Sequence, residues 1–430
     1  MLNNYFKLEE NGTTVRREVI AGVTTFLTMA YIIFVNPLIL SDAGMDFGGV
    51  FVATCLAAAI GTAIMGFWAN YPIAMAPGMG LNAFFTYGVV LGMGHSWQIA
   101  LGMVFISGVL FVIISVLPIR EWIINAIPRS LKMATGAGIG LFLGIIAMKN
   151  AGLVVDNPAT LVGLGDITQW TVILAVIGFI LIAALDALKI PGAIILGILV
   201  TTVAAIVLGV SEFQGVASAP PDPGTVMFQL DIGGALDLAL VGIIFAFLFT
   251  DLFDTTGTLV GVAHRAGLLD KDGKLPRLKR ALVADSTATV IGAAAGTSPV
   301  TCYIESAAGV RAGGRTGLTA VVVAILFLLA LFLSPLANTV PGYATAPALL
   351  FVACLMTQGI TEVDWEDVTE YVPAVVLAMA MPFTFSITDG LALGFISYAA
   401  IKLLSGRFGE AKPAVLILAA LFVAKYVWLG

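Results

Sequence analysis

Charge is scarce in this chain. Only 11% of its 430 residues are Asp, Glu, Lys or Arg, while 60% are apolar, which leaves too little ionic surface for a water-soluble globule of this length. Histidine occurs twice and cysteine three times. Cys55, Cys302 and Cys354 fall inside apolar stretches without the paired spacing of a disulfide or metal motif. His95 and His264 fall at expected span ends, out of place for a central proton relay. No cofactor, metal or nucleic-acid partner is expected. Residues 1–17 are polar and lack an apolar core followed by a small-residue cleavage site, so no cleaved signal is expected there.

What is abundant is apolar sequence, with a mean hydropathy of +1.05. A hydrocarbon core of about 30 Å takes about 20 apolar residues per helical span. Apolar runs fall at 18–40, 49–69, 73–93, 97–117, 129–149, 169–188 and 192–210, then, past a loop at 211–231, at 236–262, 280–296, 299–311, 315–338, 343–360, 372–385 and 388–404. The expected fold class is therefore an all-α polytopic membrane protein with 14 transmembrane segments as a 7+7 repeat. Seven is odd, so the second unit enters the lipid from the opposite side, as in the inverted repeats of many secondary transporters. The run 414–430 is either an interfacial helix or a fifteenth span.

Basic residues orient these segments. With the N-terminus in the cytoplasm, all but Lys149 and Lys425 of the 20 Lys and Arg residues fall on the inner side, as the positive-inside rule requires of a multi-pass protein in the cell inner (plasma) membrane. One inner loop dissents. Thr361 to Tyr371 carries Glu362, Asp364, Glu366, Asp367 and Glu370 and no basic residue, but acidic residues weigh little in the rule.

Segments 3 and 10, in corresponding places of the two units, are interrupted. "YPIAMAPGMGLNAFF" (71–85) and "GTSPVTCYIESAAG" (296–309) each set Pro and Gly before a short helical stretch. Proline removes a backbone donor and glycine tolerates unusual dihedrals, so each should enter as extended chain and start a half-helix near mid-membrane. Such paired breaks point to a transporter's binding site, and the free N–H groups of each half-helix favour a carboxylate or a substrate carbonyl. Glu305 stands at one such start. In "FTDLFDTTGT" (249–258), Asp251 and Asp254 are three residues apart and share a helix face.

An acid at mid-membrane costs about 2.5 to 3.5 kcal/mol on insertion scales, so these three are candidates for hydrogen-bond acceptors, proton carriers or both. Simpler roles compete. Asp254 can cap a helix break near "TTG", Asn82 can cap its half-helix, and Asp285, near Arg280, reads as an ordinary inner-boundary acid. Phe84 and Phe85 can stack on a flat ring or simply pack. Gly136, Gly140 and Gly144 recur every fourth residue and are expected to form a smooth sliding stripe on segment 5, unless they serve plain helix packing.

The stretches "AGVTTFLTMAYIIFVNP", "APGMGLNAFF", "TDLFDTTGTL" and "YIESAAG", in this order and spacing, resemble the azaguanine-type purine permeases, a branch of the nucleobase-cation symporter group with the uracil and xanthine permeases. The resemblance spans residues 5–404. It implies a core domain of segments 1–4 (18–117) and 8–11 (236–338) and a gate domain of segments 5–7 (118–210) and 12–14 (339–404). Around them lie the cytoplasmic N-terminus 1–17, the extracytoplasmic loop 211–235 and a tail 405–430 with a short hydrophobic helix.

The resemblance further implies proton-coupled import of a purine base by alternating access of elevator type. The substrate-binding set carries over as Thr28, Gly80, Asn82, Phe85, Asp251, Asp254, Ile304 and Glu305, with Asp251, Asp254 and Glu305 as proton-coupling candidates. Hypoxanthine and guanine are the favoured bases and adenine a further one. The partners are then the base, protons and membrane lipid, and a homodimer is admissible. The uracil and xanthine branch carries Glu with His four residues later in segment 8. Here Asp251 is followed by Thr255, so proton coupling does not carry over from that branch.

Rivals are an anion or other small-solute transporter of the same fold, a channel and, remotely, an intramembrane aspartyl protease. "GLGD" (163–166) matches the Gly-x-Gly-Asp signature of the last, but Asp166 falls in a loop and the chain has no Tyr-Asp pair. A channel would show pore-lining repeats or charge rings. An anion carrier should not place a glutamate at position 305.

Overall fold

The structure is a computed structural model describing residues 2–117, 127–268, 270 and 275–428. Arg120, Lys271 and Lys274, counted above as inner basic residues, lie outside the described residues.

The first span is two helices, α1 (Val15–Met29) and α2 (Ile32–Asp42), where one run was expected. Ala30 and Tyr31 between them keep helical backbone, with Ile33 and Phe34 bonded three residues back, and Pro37 further on offers no N–H to the Ile33 carbonyl. Asp46 accepts from the Gly49 N–H at 2.7 Å to start α3 (Phe47–Ile64), which runs on through the wide turn Met65–Ala69. Strand β1 (Met75–Pro77) leads into α4 (Met79–Ala83), extended by π-type turns to Gly92. Then come α5 (Trp97–Val116), α6 (Arg129–Asn150), the hairpin β2 (Val154–Asn157) and β3 (Leu161–Leu164), α7 (Trp170–Ala187) and α8 (Ala193–Val207).

The second half holds α9 (Val241–Ala266), α10 (Leu278–Ala295), β4 (Val300–Cys302), α11 (Ser306–Arg311), α12 (Gly317–Ala330) and α13 (Ser334–Thr339). It closes with α14 (Gly342–Thr357), α15 (Val368–Thr384), α16 (Ile387–Leu404) and α17 (Pro413–Trp428). Among the described residues nine helices have the length and composition to cross a membrane, and four shorter apolar helices accompany them. Helix α17 packs along α16, where Tyr426 donates to Asp389 at 2.6 Å.

The interrupted segments meet. β1 pairs antiparallel with β4, Met75 opposite Cys302, Ala76 opposite Thr301 and Pro77 opposite Val300. Beyond the ladder, the Gly78 N–H donates to Pro299 and the Tyr303 N–H to Ala74, each at 2.9 Å. Buried extended backbone is thereby satisfied by the other interrupted segment.

Helices pack in two sets. α1 and α3 lie against α12, and α3 and α5 against α10. α6 lies against α14 and α15, α7 against α14, and α15 against α16.

The acid-rich loop finds its cations elsewhere in the chain. Lys402 on α16, fully buried, sets its Nζ 2.9 Å from Glu370 and 2.5 Å from Glu410. Arg407 pairs with Asp367 at 2.5 Å and Arg129 with Glu362 at 2.5 Å, while Ser130 and Tyr398 donate to Glu370. The Thr369 hydroxyl and N–H, with Arg407, hold the Asp367 carboxyl down at about 2. Asp367, Glu370 and Glu410 are near enough to share a cation, and the Lys402 ammonium supplies one.

Glu18 is a fully buried acid on α1 whose role was not foreseen from the sequence. One oxygen accepts from the Arg315 N–H at 2.9 Å; the other takes the N–H of Thr316 and of Thr319 at 3.2 Å and their hydroxyls at 2.8 and 2.7 Å. It closes the start of α12, so Glu18→Ala should destabilise the fold by about 2 to 4 kcal/mol through stranded buried donors. Thermal unfolding in nanodiscs checks this; an unchanged midpoint would show that water replaces the carboxylate.

Candidate functional site

The helix starts and strands just described bring two carboxylates to one opening. Glu305 follows β4 by three residues at the N-cap of α11, in helical backbone, and its side chain does not cap. The Tyr31 hydroxyl, at the step between α1 and α2, donates to Glu305 Oε1 at 2.6 Å. The second oxygen, Oε2, has no protein hydrogen bond among the described residues. Asp254 on α9 is close enough to Glu305 for their charges to interact, and both side chains are partly exposed. Ile304 beside them is 52% exposed. One and two turns along α9, open space flanks Gly257 and Gly261.

Helix α9 runs unbroken through Asp254 to Ala266, so there is no break at "TTG" for Asp254 to cap. Asp251, one turn earlier, turns away from the opening: it is 2% exposed and its Oδ2 is 2.9 Å from the Thr289 hydroxyl. Asp285 corrects the boundary-acid expectation. It is fully buried against β4, where Cys302 Sγ donates to it at 3.4 Å. Helix α10 begins at Leu278, so Asp285 is already two turns into it, on a face that looks inward.

Asn82 does not cap its half-helix either, because α4 starts after Gly78 with no side-chain cap. Its Nδ2 donates to Asn36 Oδ1 at 3.0 Å, and its own Oδ1 is buried without a partner. Asn36 in turn donates to Thr54 at 2.8 Å and Thr297 at 2.9 Å. Asn82 thus joins a buried polar link between α2, α3 and the turn before β4. Thr28 gives its one hydroxyl hydrogen to its own helix, at the Thr25 carbonyl 2.8 Å away, and lies 3.4 Å from the Glu305 carbonyl. Phe85 is fully buried with no free face, and Phe84 packs on Phe247 at 4.9 Å between centroids. Tyr31, Asn36 and Asp285 were missed as site residues. The only signal for Tyr31 and Asn36 was a polar group in an apolar run, and for Asp285 nothing in its neighbourhood stood out.

Glycine positions revise the expected sliding surface. A Cβ on Gly140 would meet the Ala353 carbonyl at 2.8 Å and Met356 at 2.9 Å, and one on Gly138 would meet Met381 at 2.7 Å. Gly144 faces Ala353, while Gly136 faces open space. The Gly140 and Gly144 stripe therefore packs α6 against α14, within its own set of helices. α6 meets the broken segment instead at Gly80, where an added Cβ would lie 2.2 Å from Ile139 Cγ2. The protease rival loses its residue too: Asp166 is exposed beyond β3, and the Thr168 hydroxyl and N–H hold its carboxyl below the usual range.

A multi-pass helical fold whose two interrupted segments cross at a carboxylate-lined opening defines a membrane transporter rather than an enzyme. The chain belongs to the permease family that includes the xanthine and uracil permeases, whose profile matches residues 16–393. It is similar to the adenine permease AdeP of Escherichia coli (strain K12), with 52% identity over 100% of this chain and 96% of that one. It is 45% identical to the guanine/hypoxanthine permease PbuG of Bacillus subtilis (strain 168), over the whole of both chains. Its fold is similar to the transmembrane domain of the cyanobacterial bicarbonate transporter BicA, with a TM-score of 0.63 at 15% identity, covering 88% of this chain and 97% of that one.

The Gly80 and Ile139 contact yields a test. Gly80→Ala forces the half-helix and α6 apart and should cut uptake at least about tenfold, a loss of about 1.4 kcal/mol in the limiting step. Ile139→Ala added to it should restore much of the rate. Uptake by vesicles containing folded protein measures both, and a Gly80→Ala rate equal to wild type would show that the boundary is not tight during transport.

Proposed function

We propose that this chain is a proton-coupled secondary transporter that imports purine nucleobases. The observation that carries the reading is the pair Asp254 and Glu305, partly open beside the crossing of the two broken segments with one Glu305 oxygen unclaimed. Purine bases present ring N–H groups, and guanine and adenine an exocyclic amine, on one flat edge, which suits carboxylate acceptors. Adenine, hypoxanthine and guanine are the candidate bases, a choice that the relatives' names support. BicA has a similar fold and is a bicarbonate transporter by name, but two carboxylates at the opening would repel an anionic substrate.

Asp254, Ile304 and Glu305 then meet the base. Tyr31 holds Glu305 in position, and Gly80 and Asn82 support the half-helix opposite. Thr28, Phe85 and Asp251 act from behind this surface. The two packing sets support a division into core (18–117 and 236–338) and gate (118–210 and 339–404), and with it fourteen spans in two inverted units. The core carries the base and slides against the gate where Ile139 meets Gly80, an elevator-like movement. The N-terminus is cytoplasmic and the membrane the inner one, a reading supported by the pairing of the acidic loop with Lys402, Arg407 and Arg129, all basic residues of the same expected side.

Glu305→Gln and Asp254→Asn each replace a charge-assisted acceptor, worth about 1.5 to 3 kcal/mol, and should weaken base binding roughly ten- to a hundredfold. Calorimetry on folded protein with adenine, hypoxanthine and guanine measures this; wild-type affinity in both variants would remove the pair from the site. Collapsing the pH gradient should abolish accumulation in vesicles, and a sodium gradient that sustains it at fixed pH would exclude proton coupling.

A further inference from the structure

Behind the opening lies a second pair of carboxyl groups. Asp251 on α9 and Asp285 on α10 are 2% and 0% exposed, and Thr289, which contacts Asp251, stands one turn from Asp285 on the same face of α10. Asp251 Oδ1 and Asp285 Oδ2 are both buried without a hydrogen-bond partner. Among the described residues no Lys, Arg or His forms an ion pair with either. Helix α5, which packs on both α9 and α10, carries no ionisable side chain. β4 presents Cys302, a donor to Asp285, and α9 itself presents Asp254. α11, also against α9, keeps its one charge, Arg311, at its far end. Two bare carboxylates in such a place would repel each other with nothing to offset their desolvation.

Hydrogen counting locates the missing positive charge. Thr289 Oγ1 is 2.9 Å from Asp251 Oδ2 and 2.9 Å from the Val300 carbonyl oxygen. A hydroxyl has one hydrogen, and a carboxylate and a carbonyl both only accept. With Asp251 ionised, the one Thr289 hydrogen is shared between two acceptors; with a hydrogen on Asp251 Oδ2, Asp251 donates to Thr289, Thr289 donates to Val300, and both contacts are full hydrogen bonds.

We propose that Asp251 and Asp285 hold one proton between them, resident on Asp251 Oδ2 in this conformation, in a site separate from the carboxylates that meet the base. When that proton leaves, Asp251 and Val300 compete for the one Thr289 hydrogen, and the competition weakens the hold on β4. β4 ends three residues before Glu305, so proton occupancy reaches the base through the strand. Service of this pair as the coupling site rests on the reading of the chain as a proton-driven importer; the presence of the proton does not.

Infrared spectroscopy of the reconstituted protein at neutral pH tests the pair directly. A carbonyl stretch of a protonated carboxylic acid should be present in wild type, persist in Glu305→Gln and disappear in Asp251→Asn. Thr289→Val should shift that band to the higher frequency of an acid without a hydrogen-bond acceptor. A wild-type spectrum without the band, or a band that survives Asp251→Asn, overturns the proposal. In vesicles Asp285→Asn should keep base affinity and base exchange while losing accumulation above the external concentration. Accumulation at the wild-type level would overturn the coupling role. A wild type that shows the band yet does not accumulate base under a pH gradient upholds the pair and fails the importer reading instead.

Discussion

Two stretches of extended backbone buried among helices must find hydrogen bonds there, and each finds them in the other. The three-residue pairing of β1 with β4, closed at its ends by Gly78 with Pro299 and Tyr303 with Ala74, is the constraint on which the rest of the structure depends. It ties the two halves of the chain together. It fixes where α4 and α11 start, and so places Glu305 against Tyr31 and brings Asp254 beside it. Thr62, which both donates to and accepts from Met75, and Thr289, on Val300, brace the strands from α3 and α10.

From this crossing the polar groups divide by depth. Asp254 and Glu305 reach an opening bordered by Ile304 and Gly257, while Asp251 and Asp285 lie sealed behind β4. The front pair has unclaimed acceptor capacity and suits a ligand with N–H donors. The rear pair has no room for a ligand and suits a proton. One short strand separates them, so a change at either is felt at the other.

Much of this was legible in the sequence because it follows from local rules. Runs of apolar residues at helical length marked the spans, and Pro and Gly at matched places in the two units marked both interruptions, which the structure shows as strand followed by half-helix. What escaped depends on contacts far apart in the chain. Glu18, at the edge of the first apolar run, carries no local signal of its role at the start of α12, some three hundred residues away. The acidic loop 361–371 looked unpaired because Lys402, Arg407 and Arg129 come from other elements. Periodicity found the glycine stripe on α6, but periodicity does not name the neighbour, and the neighbour is α14. Asp285 was misplaced because distance along the chain from Arg280 says nothing about the side of α10 it occupies.

The central claim is that a purine base binds between α9 and the strand crossing, held by the front carboxylates. A structure of the chain in nanodiscs with adenine or hypoxanthine bound tests it most directly. The account predicts the base against Ile304, with ring or amine N–H groups about 3 Å from Glu305 Oε2 and from Asp254, and Asp251 still covered by Thr289. A base bound away from the β1 and β4 crossing, with Glu305 still engaged only by Tyr31, would contradict it.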